Sequence, residues 1–125
     1  MIALSALLVL LLASPSWAVM TYAEQVVERT LDNGFEAILL EDHKAPVAVV
    51  QVWYRVGSRN EQPETTGLSH MLEHMMFKGT REHGPGEYSR IIARNGGDEN
   101  AFTSDDGTTY FAKIASDRIG VALEL

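Results

Sequence analysis

The run Gly67-Leu-Ser-His-Met-Leu-Glu-His-Met-Met-Phe-Lys-Gly79 constrains this chain more than any other stretch, because it reads as one short helix with two different faces. At about 100° per residue, His70 and His74 lie about 40° apart, one turn above the other, with Glu73 about 60° to one side of His70. Leu68, Met71, Leu72, Met75 and Met76 fall on the opposite arc, so the sequence predicts that this arc anchors in a core while the imidazoles and the carboxylate face outward. Thr65 or Thr66 is expected to cap the helix start, and Gly79 to end it after Lys78. Two imidazoles at i, i+4 can both reach one zinc ion, and an adjacent unligated carboxylate can take a proton from water at the metal. The order is H-x-x-E-H, the inverse of H-E-x-x-H. The competing reading is an ordinary amphipathic helix with a polar face. It would win for a lone histidine, but here two scarce residues and an acid meet at ligand spacing.

The rest of the composition narrows the chemistry. There is no cysteine, so disulfides and thiolate metal sites are excluded, and any zinc must be held by histidine and carboxylate. The formal net charge is −7 and the basic residues, all beyond position 28, are scattered. A phosphate-backbone partner would need a basic patch, so nucleic acid is not expected. At 125 residues and 46% apolar, the chain has the length of a single domain and the means to build a core.

Residues 1–18 carry no charged side chain. The apolar run Ile2 to Ala13, the break at Ser14-Pro15-Ser16 and the small residues Ser16 and Ala18 read as a secretory signal peptide cleaved after Ala18. The run is shorter than the ~20 residues a membrane span needs, so no stable span is expected once the signal is removed. The competing reading is a buried N-terminal helix or an uncleaved anchor.

Beyond the signal, Val26 to Leu31 and Phe35 to Leu40 read as two strands joined by the turn Asp32-Asn33-Gly34. Val47 to Val56 is the longest β-branched and aromatic run, and is expected to be a central, mostly buried strand. Glu87 to Asn95 has the spacing of a short amphipathic helix through Tyr88, Ile91 and Ile92, stopped by Gly96-Gly97. Asp98 to Ser104 reads as a polar edge strand, Asp105-Asp106-Gly107 as a turn, and Thr108 to Ser116 as the returning strand. Asp117 is expected to cap a last helix running to Leu125. The order β-β-β-α-α-β-β-α predicts an α+β fold, a largely antiparallel sheet with helices packed on one face. The last helix lacks a C-cap, which reads as a chain cut short, so residues 19–125 are expected to be the N-terminal part of a larger domain.

A catalytic zinc usually has three protein ligands and a water. The helix supplies two, and His43, His83, Asp98, Glu99, Asp105 and Asp106 are candidates for a third, none at a compelling spacing. The edge strand could hold an extended peptide by main-chain hydrogen bonding, with Asn100 adding a side-chain contact.

Taken together, the strings Leu31-Asp32-Asn33-Gly34, Val56-Gly57-Ser58, the whole run from Gly67 to Thr80, and Gly96-Gly97 followed by Asn100-Ala101-Phe102-Thr103-Ser104 resemble the inverted-zincin metallopeptidases. That is the family of pitrilysin, insulin-degrading enzyme and the mitochondrial processing peptidase, and the exported start looks most like its bacterial periplasmic members. The resemblance implies a zinc endopeptidase acting on peptides or unfolded segments, with one zinc per full-length chain. It implies His70 and His74 as zinc ligands, Glu73 as the base that activates water, and Asn100, Ala101, Phe102 and Thr103 as the strand that binds substrate. The family's third ligand, a glutamate, is expected past Leu125, so the piece alone is expected to be inactive. A homo- or heterodimer is left open by the resemblance. The alternative is a non-catalytic peptide-binding or partner subunit, against which the intact motif argues.

Overall fold

The computed structural model describes residues 26–125, and the expected signal peptide therefore lies outside the described residues. Two compact units are present, one up to His43 and one from Lys44 to Leu125. Among the described residues no helix is long and apolar enough to cross a membrane.

The first unit contains an antiparallel hairpin, β1 (Val26–Thr30) and β2 (Glu36–Leu40), registered from Val26 opposite Leu40 to Thr30 opposite Glu36. Its turn closes as Asp-Asn-Gly predicts: Gly34 adopts a φ of 84°, and the Phe35 N–H donates to the Asn33 side-chain oxygen at 3.0 Å.

In the second unit β3 (Val47–Tyr54), β4 (Asp98–Thr103) and β5 (Thr108–Ala115) form an antiparallel sheet in the order β3-β5-β4. Three helices accompany it: α1 (Leu68–Met76), α2 (Glu87–Arg94) and α3 (Ile119–Glu124). Helix α3 is entered through a 3₁₀ turn over Ser116–Arg118, so Asp117 lies inside that turn instead of capping the helix. The architecture is α+β, as the element order predicts.

Strand register explains where the core lies. Ala48, Val50, Val52 and Tyr54 share one sheet face with Ile114, Ala112, Tyr110 and Thr108, and with Glu99, Ala101 and Thr103. The helices pack on that face. Ile92 of α2 is fully buried against Ala112 and Ile114, with Tyr88, Val121, Ala122 and Leu125 around them. Burying each isoleucine contributes roughly 2–3 kcal/mol.

Two expectations are corrected. Among the described residues strand β3 is at an edge of this sheet and β5 is in the middle, pairing on both sides. Apart from Gln51 the run Val47 to Tyr54 is apolar on both faces, but among the described residues only one face meets helices, and Trp53 on the other remains 63% exposed. Helix α1 keeps its two imidazoles outward as expected, but it meets the sheet through a different strip from the sequence reading. Leu68, Met71, Leu72, Met75 and Met76 are each more than half exposed, whereas Ser69 and Glu73 are buried. The reason is a narrow strip, Ser69-Glu73-Phe77, that meets the sheet: Glu73 finds a hydroxyl on β4, and Phe77 stacks near Tyr88 and Tyr110 with ring centroids 5.9 and 6.1 Å away.

Candidate metal centre and substrate strand

Helix α1 brings the two imidazoles of the motif together. The Nε2 atoms of His70 and His74 are 3.2 Å apart, with ring centroids 4.7 Å apart and ring planes inclined by 47°. Two nitrogens each ~2.0–2.1 Å from one zinc ion at a near-tetrahedral angle stand about 3.3 Å apart, so this donor pair fits a shared ion. Both histidines are solvent-exposed, as an open coordination position requires.

Glu73 is only 8% exposed. The Thr103 hydroxyl of β4 donates to its Oε2 at 2.5 Å. The Thr108 hydroxyl, 3.5 Å from that of Thr103, donates to the Val56 carbonyl at 2.9 Å. A buried carboxylate held by a hydroxyl on a sheet has few rotamers left, which fixes it beside the histidine pair. Tyr110 lies close enough to feel this charge: burial first, then the Glu73 carboxylate and Tyr54, raises its phenol above the usual tyrosine range.

On β4, the expected substrate strand, the four named residues divide between two faces. Side chains of Ala101 and Thr103 point toward the helices, those of Asn100 and Phe102 away from them. Thr103 spends its hydroxyl on Glu73, so its side chain orients the acid. Phe102 packs edge-on against Trp53 with centroids 6.1 Å apart. The Asn100 side-chain oxygen accepts from the Ala101 N–H at 2.9 Å and so lies along the strand's own main chain. What β4 offers a ligand is its outer edge, which pairs with no strand among the described residues.

No third carboxylate or imidazole joins the pair: among the described residues there is no group of three such side chains able to hold a metal. Four of the candidates have side-chain partners elsewhere. Glu99 accepts from Ser89 at 2.7 Å, Asp105 from Ser58 at 2.8 Å, and Asp106 binds Arg59 at 2.6 Å. His43 lies in the hairpin unit 3.6 Å from Glu41, and the His83 amide is held by Thr80.

The start of α1 differs from expectation in an instructive way. Its N-cap is Gly67, at a φ of 90°, which has no side chain to cap with. Thr65 and Thr66 instead close a 3₁₀ turn over Pro63–Thr65, bonding to Gln62 and Pro63. The cap comes from Glu61, whose two carboxylate oxygens accept the Gly67 and Ser69 N–H groups at 2.7 Å each. These backbone bonds hold the Glu61 carboxyl below the usual glutamate range. Sequence reasoning passed over this residue because six positions separate it from the amide it caps, outside any local capping pattern.

A helix of this order, with paired imidazoles and a buried acid laid across an antiparallel sheet whose outer strand is open, defines the inverted-zincin class of metallopeptidase fold. Comparison with known proteins agrees. Residues 36–125 match the insulinase family, peptidase family M16, and the chain belongs to that family. It is 43% identical over 97 residues to the zinc protease PqqE of Helicobacter pylori, covering 77% of this chain and 22% of that protein. It is 41% identical over 96 residues to a probable mitochondrial-processing peptidase subunit beta of Arabidopsis thaliana (77% and 18%), and 33% identical over 95 residues to human insulin-degrading enzyme (75% and 9%). Among solved structures it is similar to a protease from Helicobacter pylori, with a TM-score of 0.77 and 41% identity over 79% of this chain and 24% of that one. The chain thus spans about a quarter or less of the length of these relatives.

Proposed function

We propose that the full-length protein is a zinc-dependent endopeptidase that hydrolyses peptides or extended polypeptide segments. The observation that carries this reading is the pair of Nε2 atoms 3.2 Å apart beside a buried glutamate and an open strand edge. His70 and His74 hold the ion, and a third ligand comes from outside the described residues. A bound zinc ion supplies Lewis-acid polarisation of the scissile carbonyl and brings the pKa of water down towards ~7. Glu73 takes the proton from the attacking water and passes it to the leaving amine. Thr103 keeps that carboxylate aimed, and the outer edge of β4 aligns the substrate main chain by adding it as a further strand. Ala101 supplies the main-chain contact on that edge, and the Asn100 side chain swings from the Ala101 amide to the incoming peptide.

The test is metal dependence in the full gene product. A chelator is expected to abolish cleavage of an unfolded polypeptide, and about one equivalent of zinc per chain to restore it. Cleavage that survives complete metal removal would overturn the assignment. The 125-residue piece, with two ligands, is expected to bind zinc weakly and to be inactive.

The likeness to a mitochondrial-processing peptidase subunit favours a paired assembly as a second element of the proposal, as a homo- or heterodimer. Export is a third. N-terminal sequencing of the mature protein, which is placed in the bacterial periplasm on this reading, is expected to begin at Val19. A mature protein still starting at Met1 would refute cleavage after Ala18.

A further inference from the structure

We propose that Glu61 is a positioning residue that fixes the first turn of α1, and with it His70, relative to the substrate strand β4. The inference rests on the metal-site reading above and extends it to a residue outside the motif.

Three observations carry it. First, α1 has no cap of its own: Gly67 lacks a side chain, and Thr65 and Thr66 are consumed in the preceding turn. Four N–H groups at a helix start need partners from elsewhere. Glu61 meets two of them, those of Gly67 and Ser69, one with each oxygen. The Ser69 amide immediately precedes His70.

Second, Glu61 ends a strap fastened at its other end to the β4–β5 turn. The Ser58 N–H donates to the Ser104 carbonyl at 3.1 Å and the Arg59 N–H to that of Asp105 at 2.9 Å. Side chains double these bonds: the Ser58 hydroxyl donates to Asp105 and the Arg59 guanidinium holds Asp106. Between the two ends the strap is stiffened internally. The Gly57 N–H donates to the Asn60 side-chain oxygen, the Asn60 N–H to the Gly57 carbonyl, and the Glu61 N–H to the Ser58 carbonyl. An unbroken sequence of bonds therefore runs from the end of β4 to the helix start.

Third, the motif spans a single turn. A rotation of the first turn displaces His70 more than His74, which lies deeper in the helix, and so changes the spacing of the pair. Glu73 is tied to β4 separately through Thr103. Loss of the strap's cap should therefore disturb the ligand geometry more than the placement of the base.

A carboxylate suits the task because both oxygens accept. Glutamine offers one acceptor and turns an N–H₂ group toward the second amide, and alanine offers none. The experiment compares wild type, E61Q and E61A in the full gene product. Far-UV circular dichroism and thermal unfolding report folding, and chelator competition reports zinc affinity. The visible absorption of the cobalt(II)-substituted protein reports ligand geometry, and kcat and KM are measured per bound metal. The expected order of zinc affinity and of kcat is wild type, then E61Q, then E61A. The last is weakened about tenfold or more, with KM within about twofold and a shifted cobalt spectrum. Folded variants with wild-type affinity, spectrum and kcat would overturn the proposal. So would loss of fold in both variants, which would make Glu61 a purely structural cap. A wild-type protein that takes up no metal would instead sink the peptidase reading, and this one with it.

Discussion

The Glu73→Gln variant is expected to lose turnover by about 10²–10⁴-fold while keeping its zinc. The amide preserves the shape of the side chain and can still accept from the Thr103 hydroxyl, so the helix should stay in place on β4. It cannot take a proton from water. Because neither His70 nor His74 depends on Glu73 for its spacing, metal content measured on the purified variant should remain near one per full-length chain. KM should change little, since in the proposed mechanism the main chain of β4, and not the acid, aligns the substrate. Turnover within a factor of a few of wild type would remove Glu73 from the mechanism. Parallel loss of zinc would mean that the residue serves the metal and not the proton.

The second large effect falls on stability. Gly57 is buried, and a Cβ placed there would stand 2.2 Å from the Ser104 carbonyl oxygen and 2.7 Å from that of Asp105. Both obstacles are main chain, so no side chain can rotate away to make room. Gly57→Ala must therefore push the strap off the β4–β5 turn, breaking the bonds of Ser58 and Arg59 that follow. The expected cost is on the order of 3 kcal/mol, read as a lower midpoint in chemical denaturation with a similar slope. An unchanged midpoint would show that the strap and the turn can part without penalty. Gly34→Ala is the natural control: nothing lies within 4 Å of an added Cβ there, and only its φ of 84° resists substitution.

The sequence was most legible where chemistry and periodicity coincide. The H-x-x-E-H helix, the Asp-Asn-Gly hairpin and the polar edge strand were each readable, because each rests on local spacing. The orientation of α1 was not. A helical wheel separates Leu68, Met71 and Met75 from Glu73, but it cannot say which arc faces the sheet. That was decided by partners far along the chain, Thr103 for Glu73 and Tyr110 for Phe77. The same holds for β3. Its apolar alternation is lost over Val47 to Val50, so nothing local says whether it pairs on one side or two. Glu61 was invisible for the complementary reason: it caps across a turn, and Thr65 and Thr66 stood nearer as decoys. For Thr103 the resemblance implied contact with substrate; the bond of its hydroxyl to Glu73, thirty positions away, was not readable.

The bare flank of β4 has a consequence beyond the role proposed for it. Main-chain donors and acceptors in a row, unpaired with any strand among the described residues, will accept any chain that arrives already stretched out, including another copy of the protein. Asp98 stands exposed at the start of that row, and a second copy laid alongside in parallel would bring the same charge against it. Selectivity at this flank would thus begin with repulsion of like by like, before any pocket has read a side chain.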